Sequence, residues 1–457
     1  MIRSIYLLLV YLSLVGLGCV APFVFTLGYI WVDLFSPQSV AYIILSQIPC
    51  ALIMGVAAFG SYITMDRRWP PRLTASCILM LMLAFWCTVT LLWAEVPDAA
   101  WAKWNWAFKT VLFSAFIPFV IRSRVQIEAF LLVYVFSLAG NLLPFGLKTM
   151  ISGGGYGRDL GLVAGNSGLG EGGLLATAAV SMVPIALYAM NHSILLPKTQ
   201  LTKLMLIGLS VVALFATIGT YERTGLVGIL VLGVGYFIKS KRKILTACVG
   251  AVALLGLIYH TSSAWDQRMD TIKSYDQETS ALTRLLVWQW TFNYSMSHPL
   301  GGGFENYRID RIEYPDGAVV FGRAFHSLYF EMLGEQGWVG LTIYLSLIAV
   351  SALQLRRAKR YAKDIPELAW CADLADSLLL MLAILMICGA FIAVSYRGMN
   401  LYTFAVCTCL GEYVRRVQQA GRSTAPGLPW RGQAAGGIAA LPAGGRRPGA
   451  LSPSGRG

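Results

Sequence analysis

The sequence is poor in charged residues. Asp, Glu, Lys and Arg make up 13% of its 457 residues, whereas a soluble globular chain averages about 25%. Hydrophobic residues reach 56% and gather in repeated stretches of roughly 15 to 24 residues, the length that a helix needs to cross a bilayer. The composition therefore excludes an ordinary soluble protein and predicts an all-α, polytopic membrane protein.

The sequence also lacks the patterns of metal, nucleotide and disulfide sites. None of its four histidines has a metal-ligand spacing such as His-Glu-x-x-His. A glycine-dense stretch at 152–173 has no P-loop spacing and is predicted to be a flexible loop over a site. All nine cysteines fall in apolar runs or at their edges, where they usually act as small buried hydrophobic residues. We therefore expect no metal and no cofactor.

The surplus of basic residues does not indicate a nucleic-acid partner. The net charge is +13, but Lys and Arg gather in short loops between apolar runs, as at 239–243 and 356–360. Such clustering is typical of the positive-inside bias of membrane proteins. Its alternation predicts about twelve spans with both termini in the cytoplasm, although residues 5–63 fit more than one division into spans.

One large polar insert divides the apolar sequence. We predict N-terminal transmembrane helices over 1–260, an outer loop over 261–325 and C-terminal transmembrane helices over 326–416. The Gly-, Ala- and Pro-rich segment 417–457 cannot bury enough apolar surface to fold and is predicted to be a disordered cytoplasmic tail. A tryptophan-rich loop at 95–106 is expected to lie along the membrane surface.

The histidine at the end of the insert is the first candidate for chemistry. His326 precedes an apolar span, so we expect it at the membrane surface, where an imidazole can take a proton from a hydroxyl group near neutral pH. Its position fits a structural helix-end histidine equally well. Glu331 and Glu335 follow one helical turn apart and could orient His326 or cap the helix. Structure is favoured for Glu335, and Glu331 is left open.

Several arginines are expected on the same outer face. Guanidinium groups suit phosphate and pyrophosphate because two parallel N–H donors match two oxygens. Arg223 opens an apolar span, where it could bind substrate or anchor the helix at the interface. The arginines of this face are Arg158, Arg223, Arg284, Arg308, Arg311 and Arg323.

Two motifs resemble the O-antigen ligase and polymerase superfamily. His326 is followed eight positions on by the run 334–341, Gly-Glu-Gln-Gly-Trp-Val-Gly-Leu. The residues 223–225, Arg-Thr-Gly, open a span. The superfamily consists of multispan enzymes that transfer a glycan from a polyprenyl pyrophosphate carrier on the periplasmic face.

Scattered blocks along residues 5–356 are similar to the O-glycosylation ligases associated with exosortase A systems. Glu222 stands where that group usually has Ser, and Trp288 stands where the ligase motif has Leu four positions after its arginine. These departures bear on the acceptor or the glycan more than on the reaction class. The similar blocks are residues 96–104, 219–223, 268–275, 280–284, 299–305 and 326–331.

The resemblance implies a lipid-donor glycosyltransferase of the bacterial inner membrane, with a ligase-like region at about 204–353. It would move a saccharide from undecaprenyl pyrophosphate to an acceptor hydroxyl, on a protein, lipid or saccharide, in the periplasm, without ATP or metal. His326 would be the general base, and Arg223 and Arg284 would hold the pyrophosphate. Further substrate-binding candidates are Arg158, Arg308, Arg311, Arg323 and Glu331.

Three alternatives remain at this stage. A polymerase of the same superfamily would use the same donor and residues, with another lipid-linked repeat as acceptor. A transporter would need charged or broken helices near the membrane midplane, whereas the polar groups here gather on one face. A non-catalytic membrane scaffold is the third alternative.

Overall fold

The computed structural model describes residues 2–41, 44–65, 72–152, 169–243, 250, 279–315 and 317–423. These residues are almost entirely helical, which confirms the all-α class. The chain divides into two units, Met1–Val414 and Arg415–Gly457. The first unit holds all the elements described below except residues 415–423, which are the helical end of the last helix and the described part of the second unit.

The described residues contain fifteen α-helices, three short 3-10 helices (Thr90–Trp93, Asn306–Ile309 and Pro366–Leu368) and one hairpin. Antiparallel strands β1 (Arg311–Glu313) and β2 (Val319–Phe321) form the hairpin, with Ile312 opposite Val320. The helices are α1 (Ile2–Val20), α2 (Phe23–Phe35), α3 (Pro37–Val40), α4 (Ile44–Gln47), α5 (Cys50–Thr64), α6 (Ala75–Val89), α7 (Pro97–Val120), α8 (Arg124–Ser152), α9 (Gly172–His192), α10 (Gln200–Gly219), α11 (Arg223–Lys239), α12 (Thr279–Ser297), α13 (Leu328–Ala362), α14 (Ala369–Cys388) and α15 (Gly398–Ser423).

Helix starts follow the local sequence. Thr74 and Thr199 precede α6 and α10, and their hydroxyls accept hydrogen bonds from Cys77 N and Thr202 N, which satisfies an otherwise unpaired first-turn N–H group. Pro97 occupies the first turn of α7, where proline's missing N–H group costs nothing.

Seven helices among the described residues are long and apolar enough to cross a membrane, so the chain is a multi-pass membrane protein. They lie at Arg3–Val20, Ala75–Trp93, Arg124–Ile151, Gly172–His192, Gln200–Gly219, Leu328–Ala362 and Pro366–Cys388. Helices α2 and α5 are shorter apolar helices. The predicted span at 244–259 falls outside the described residues apart from residue 250, and the total of about twelve spans stays a prediction.

Helix α9 forms the centre of the bundle. It is buried along almost its whole length and packs against α8, α10, α11 and α14. A helix that is apolar on every side is typical of such a core position. By contrast, only 17% of the residues in the apolar stretch Arg3–Val20 of α1 are buried. Most of its apolar side chains are therefore available to contact lipid.

Helix α13 is broken one third of the way along. Gly337 has φ 65° and ψ −167°, so the backbone leaves the helix there. The loop at 299–303 fills the gap and takes over the freed hydrogen bonds. Gly302 N donates to Gly334 O at 3.0 Å, Gly303 N donates to Glu335 O at 2.9 Å, and Trp338 N donates to Pro299 O at 3.0 Å.

Two loops predicted from the sequence are largely ordered elements. The tryptophan-rich segment is helical from Pro97 onward, as the start of α7, because Pro97 supplies a helix start and no glycine or proline follows before Pro118. The described part of the outer insert, 279–315 and 317–325, contains α12 and the hairpin, and α12 packs along α13. Helix α15 runs to Ser423, so only 424–457 of the predicted tail lie outside the described residues.

We expect Gly337→Ala to destabilise the protein. A side chain at this left-handed position costs about 1–3 kcal/mol in backbone strain, and its Cβ would run into Pro299 O. Gly208→Ala on α10 is the control, because no heavy atom lies within 4 Å of the added Cβ and alanine favours a helix by about 1 kcal/mol over glycine. Thermal unfolding in detergent should show a lower midpoint for Gly337→Ala alone, and equal midpoints would contradict this account.

Candidate active site

A cavity of about 1050 Å³ opens at one end of the bundle. Helices α9, α11 and α13 begin at its wall, α7 and α12 add residues from their second and third turns, and residues 392–397 form one side. Helix N-termini carry partial positive charge. Three of them converge here, which makes the cavity favourable for an anion.

Backbone strain is concentrated at this cavity. Among the described residues four non-glycine residues have positive φ, and three of them line it: Tyr221 (52°), Glu305 (62°) and His326 (44°). Such conformations cost free energy and persist where the surroundings enforce them, most often at functional sites.

His326 is held in the wall by its neighbours. The carbonyl group of Phe325, just before it, accepts a hydrogen bond of 2.8 Å from Trp288 Nε1. The Trp288 ring stacks on Phe330, with ring centroids 5.1 Å apart and planes 5° apart. Trp288, which stands where the ligase motif has Leu, therefore contacts the chain both before and after His326.

A carboxylate stands next to the imidazole. His326 Nδ1 lies 4.0 Å from Glu171 Oε1, and the two side chains are 44% and 45% exposed. Partial burial raises the pKa of the Glu171 carboxyl, while Arg397 and Arg284 favour its charged form. These two guanidinium groups are thus close enough to Glu171 to act on it electrostatically.

The sequence-predicted arginines are distributed unevenly around the cavity. Arg284 and Arg323 line it. Arg223 opens α11 directly after the lining residue Glu222 but is not itself in the lining. Arg311 is exposed on β1, and Arg158 lies outside the described residues.

The Arg308 guanidinium group is hydrogen-bonded to Glu305 and is not part of the cavity lining. Its Nε and Nη2 atoms donate to Glu305 Oε2 at 3.1 and 3.0 Å. Tyr307 OH donates to the same oxygen at 2.9 Å, and burial together with Glu305 raises the pKa of Tyr307 to about 12.

The segment that carries Arg323 is fixed by Asp310. The carboxylate of Asp310, which is fully buried, accepts a hydrogen bond from Arg323 N, with distances of 3.2 and 3.1 Å to its two oxygens.

A largely buried lysine forms part of the cavity lining. Lys103 Nζ donates to Glu331 Oε1 at 2.8 Å and to Glu335 Oε1 at 2.7 Å, and it lies 3.6 Å from Glu305 Oε1. Glu335 also accepts from Glu305 N at 3.0 Å, and Glu331 Oε2 accepts from Ser395 N at 3.0 Å. The lysine thus joins α7 to the broken helix, to the insert and to the wall at 392–397.

Sequence reasoning did not assign four of the lining residues to the site. Lys103 lies within one of the similar blocks, but as part of a segment taken to be a surface loop. Glu171 lies at the end of the glycine-dense stretch, and Arg397 lies in a short turn, with its guanidinium 5.2 Å from the Trp106 ring centroid. Nothing in the local sequence distinguishes these residues. The only sequence signal for Glu305 is its place in the block 299–305, which is similar to the O-glycosylation ligases.

The donor set does not point to a metal. Among the residues that the structure describes, no group of three or more His, Cys, Asp or Glu side chains is arranged to hold a metal ion. The cavity instead combines an imidazole, carboxylates and guanidinium groups, which suit proton transfer and anion binding.

Comparison with known families identifies the class of protein. Residues 208–345 match the family described as O-antigen ligase, and residues 2–194 match a family of unknown function, DUF5935. The match places residues 208–345 in the O-antigen ligase superfamily, a group of glycosyl-transferring membrane proteins, as the sequence motifs predicted. No curated protein matches the chain. The cavity draws on both matched regions, since Lys103 and Glu171 lie in the first and Arg284 and His326 in the second.

We expect Lys103→Met to destabilise the fold strongly. Removing one partner of a buried ion pair costs about 3–5 kcal/mol because the other charge stays buried, and here Glu331 and Glu335 would both lose their counter-ion. Lys109→Met, an exposed lysine on the same helix, is the matched control. Unfolding midpoints and expression in membranes are the measurements. A Lys103→Met protein as stable as the Lys109→Met protein would show that the cluster does not hold these helices together.

Proposed function

We propose that the protein transfers a saccharide from an undecaprenyl-pyrophosphate carrier to a hydroxyl group of an acceptor. The observation that carries this proposal is the meeting of His326, Arg284, Arg323 and Arg397 in one cavity, in a chain of the O-antigen ligase superfamily. An imidazole supplies a base for the hydroxyl, and guanidinium groups supply cations for the pyrophosphate.

We infer that the cavity faces the periplasm of a bacterial inner membrane. Helices α11 and α13 both begin at the cavity and end in the basic clusters 239–243 and 356–360. Those basic ends lie together, because Lys239 and Lys359 both approach Asp376 Oδ1, at 3.7 and 2.8 Å. Basic clusters mark the cytoplasmic side, so the opposite ends of both helices belong to the outer side.

The proposed reaction is a single displacement at the anomeric carbon. His326 accepts the proton of the acceptor hydroxyl while its oxygen forms the new bond to that carbon. The bond from the anomeric carbon to the pyrophosphate oxygen breaks, and its electron pair leaves with undecaprenyl pyrophosphate. Arg284, Arg323 and Arg397 stabilise the negative charge that develops on the leaving group. The carrier already activates the sugar, so no nucleotide or metal enters the scheme.

The remaining candidates take different parts in this proposal. Arg223 stands one residue from the cavity lining at the start of α11 and is assigned to the pyrophosphate with Arg284. Glu331 is a positioning residue, since its carboxylate is bound to Lys103 and Ser395 N. Arg308 acts through Glu305. Arg311 and Arg158 remain predictions for a longer saccharide or for the loop above the site.

The carrier-linked glycan pool tests the proposal in cells. In a strain that lacks this protein, we expect full-length glycan to accumulate on undecaprenyl pyrophosphate. Accumulation of single repeat units would instead identify a polymerase of the same superfamily. A normal pool would contradict both enzyme functions and favour transport or scaffolding.

Complementation of that strain tests the assigned residues. We expect His326→Ala to lower transfer by about 10²–10⁴-fold, the usual contribution of a general base, and Arg284→Ala to lower it as well. His298→Ala and Arg356→Ala are the matched controls, because both side chains are exposed and outside the cavity lining. Each variant must be expressed at the same level as the wild-type protein for the comparison to hold. Full complementation by His326→Ala would rule out its role as base.

A further inference from the structure

We infer that Glu171 is the positioning residue of the general base, holding the His326 imidazole by its Nδ1 edge so that Nε2 faces the acceptor hydroxyl. This inference rests on the proposed function and adds to it a residue that neither the family motifs nor the sequence assigned. Three observations support it: the position of the Glu171 carboxylate, the position of the His326 imidazole, and the packing that holds their backbones close together.

The carboxylate of Glu171 does not cap its own helix. Glu171 precedes α9 in an extended conformation and makes no side-chain hydrogen bond to the first turn, as expected because Ser, Thr, Asp and Asn are the usual caps. Only its backbone carbonyl group is tied to α9, by a 2.9 Å hydrogen bond from Leu175 N. The side chain is therefore left to line the cavity beside His326.

The start of α9 is pressed against its surroundings. A Cβ atom on Gly173 would lie 2.9 Å from Ile392 Cγ2, and one on Gly172 would lie 3.1 Å from Glu222 Cγ. Two successive glycines thus let the helix end approach the wall more closely than other residues would permit. This close approach fixes where the Glu171 backbone stands relative to the cavity.

His326 is fixed from the other side. Its φ of 44° is a conformation that its surroundings must enforce, and Trp288 holds the preceding carbonyl group. With both backbones fixed, His326 Nδ1 faces Glu171 Oε1 at 4.0 Å, close enough for a small side-chain rotation to make the hydrogen bond.

The chemistry of imidazole gives this contact a consequence. A carboxylate at Nδ1 keeps the proton of the neutral ring on Nδ1, and so leaves the lone pair on Nε2. After proton transfer the ring is an imidazolium, whose charge the carboxylate stabilises. Glu171 touches neither reacting atom and acts through His326. Burial raises the pKa of the Glu171 carboxyl, and the charges of Arg397 and Arg284 offset part of that rise by favouring its ionised form.

Glycan transfer in washed membranes of the deletion strain, which supply both donor and acceptor, tests the inference. Each variant is expressed there, and loss of carrier-linked glycan is followed over time. We expect Glu171→Ala to slow transfer by about tenfold or more, part of the roughly 10²–10⁴-fold that a general base contributes. Glu171→Asp should recover part of the rate. Glu313→Gln, an exposed glutamate on β1, should transfer at the wild-type rate.

Added sodium formate separates positioning from a structural role. A small carboxylate can enter the space left in Glu171→Ala and face the imidazole, so the rate should rise with formate concentration and not with sodium chloride. The double variant Glu171→Ala, His326→Ala should gain nothing from formate. A wild-type rate for Glu171→Ala, or a loss that neither formate nor aspartate relieves, would overturn the inference while leaving the ligase function standing. Absence of transfer by the wild-type protein would overturn both.

Discussion

The hydrogen bonds from Lys103 to Glu331 and Glu335 are the interaction on which the site depends. They connect α7 with the first part of α13, across more than two hundred residues of sequence. Moving an ammonium group and carboxylates out of water costs several kcal/mol per ion, so such a cluster is weak evidence of stability by itself. Its effect is positional. Once the charges are buried, they must be satisfied by one another and by the N–H groups of Glu305 and Ser395, so α7, α13 and the insert must meet in one arrangement.

The break at Gly337 makes that arrangement possible. It ends the first part of α13 and lets the 299–303 loop supply hydrogen bonds to Gly334 and Glu335. Glu305 follows that loop directly and bonds Glu335 through its backbone N–H group. The same break therefore positions both the lysine cluster and the His326 end of the helix. Part of this cluster lines the cavity, where carboxylates and guanidinium groups surround one imidazole and three helix N-termini add positive potential.

Sequence reasoning reached the class of protein and part of the site for physical reasons. Apolar stretches of membrane length have few alternatives to a transmembrane helix, and the polar residues between them must lie at a surface. The structure places three of these predicted residues, His326, Arg284 and Arg323, in the lining of one cavity, and their roles stay predictions. Lys103 could not be assigned, because its partners are 228 and 232 positions away and a lone lysine beside tryptophans is typical of an interface. Arg311 shows the converse. Membership of the polar insert suggested the site, but the hairpin turns it to solvent.

The most direct test of the account is a structure of the protein in a lipid nanodisc with its undecaprenyl-pyrophosphate-linked glycan, determined with His326→Ala so that the donor persists. We predict density for the pyrophosphate inside the cavity, within hydrogen-bonding distance of the Arg284 guanidinium group and with the anomeric carbon on the side of residue 326. Density for the pyrophosphate outside this cavity, or a cavity filled by the chain's own side chains while the donor binds elsewhere, would contradict the account.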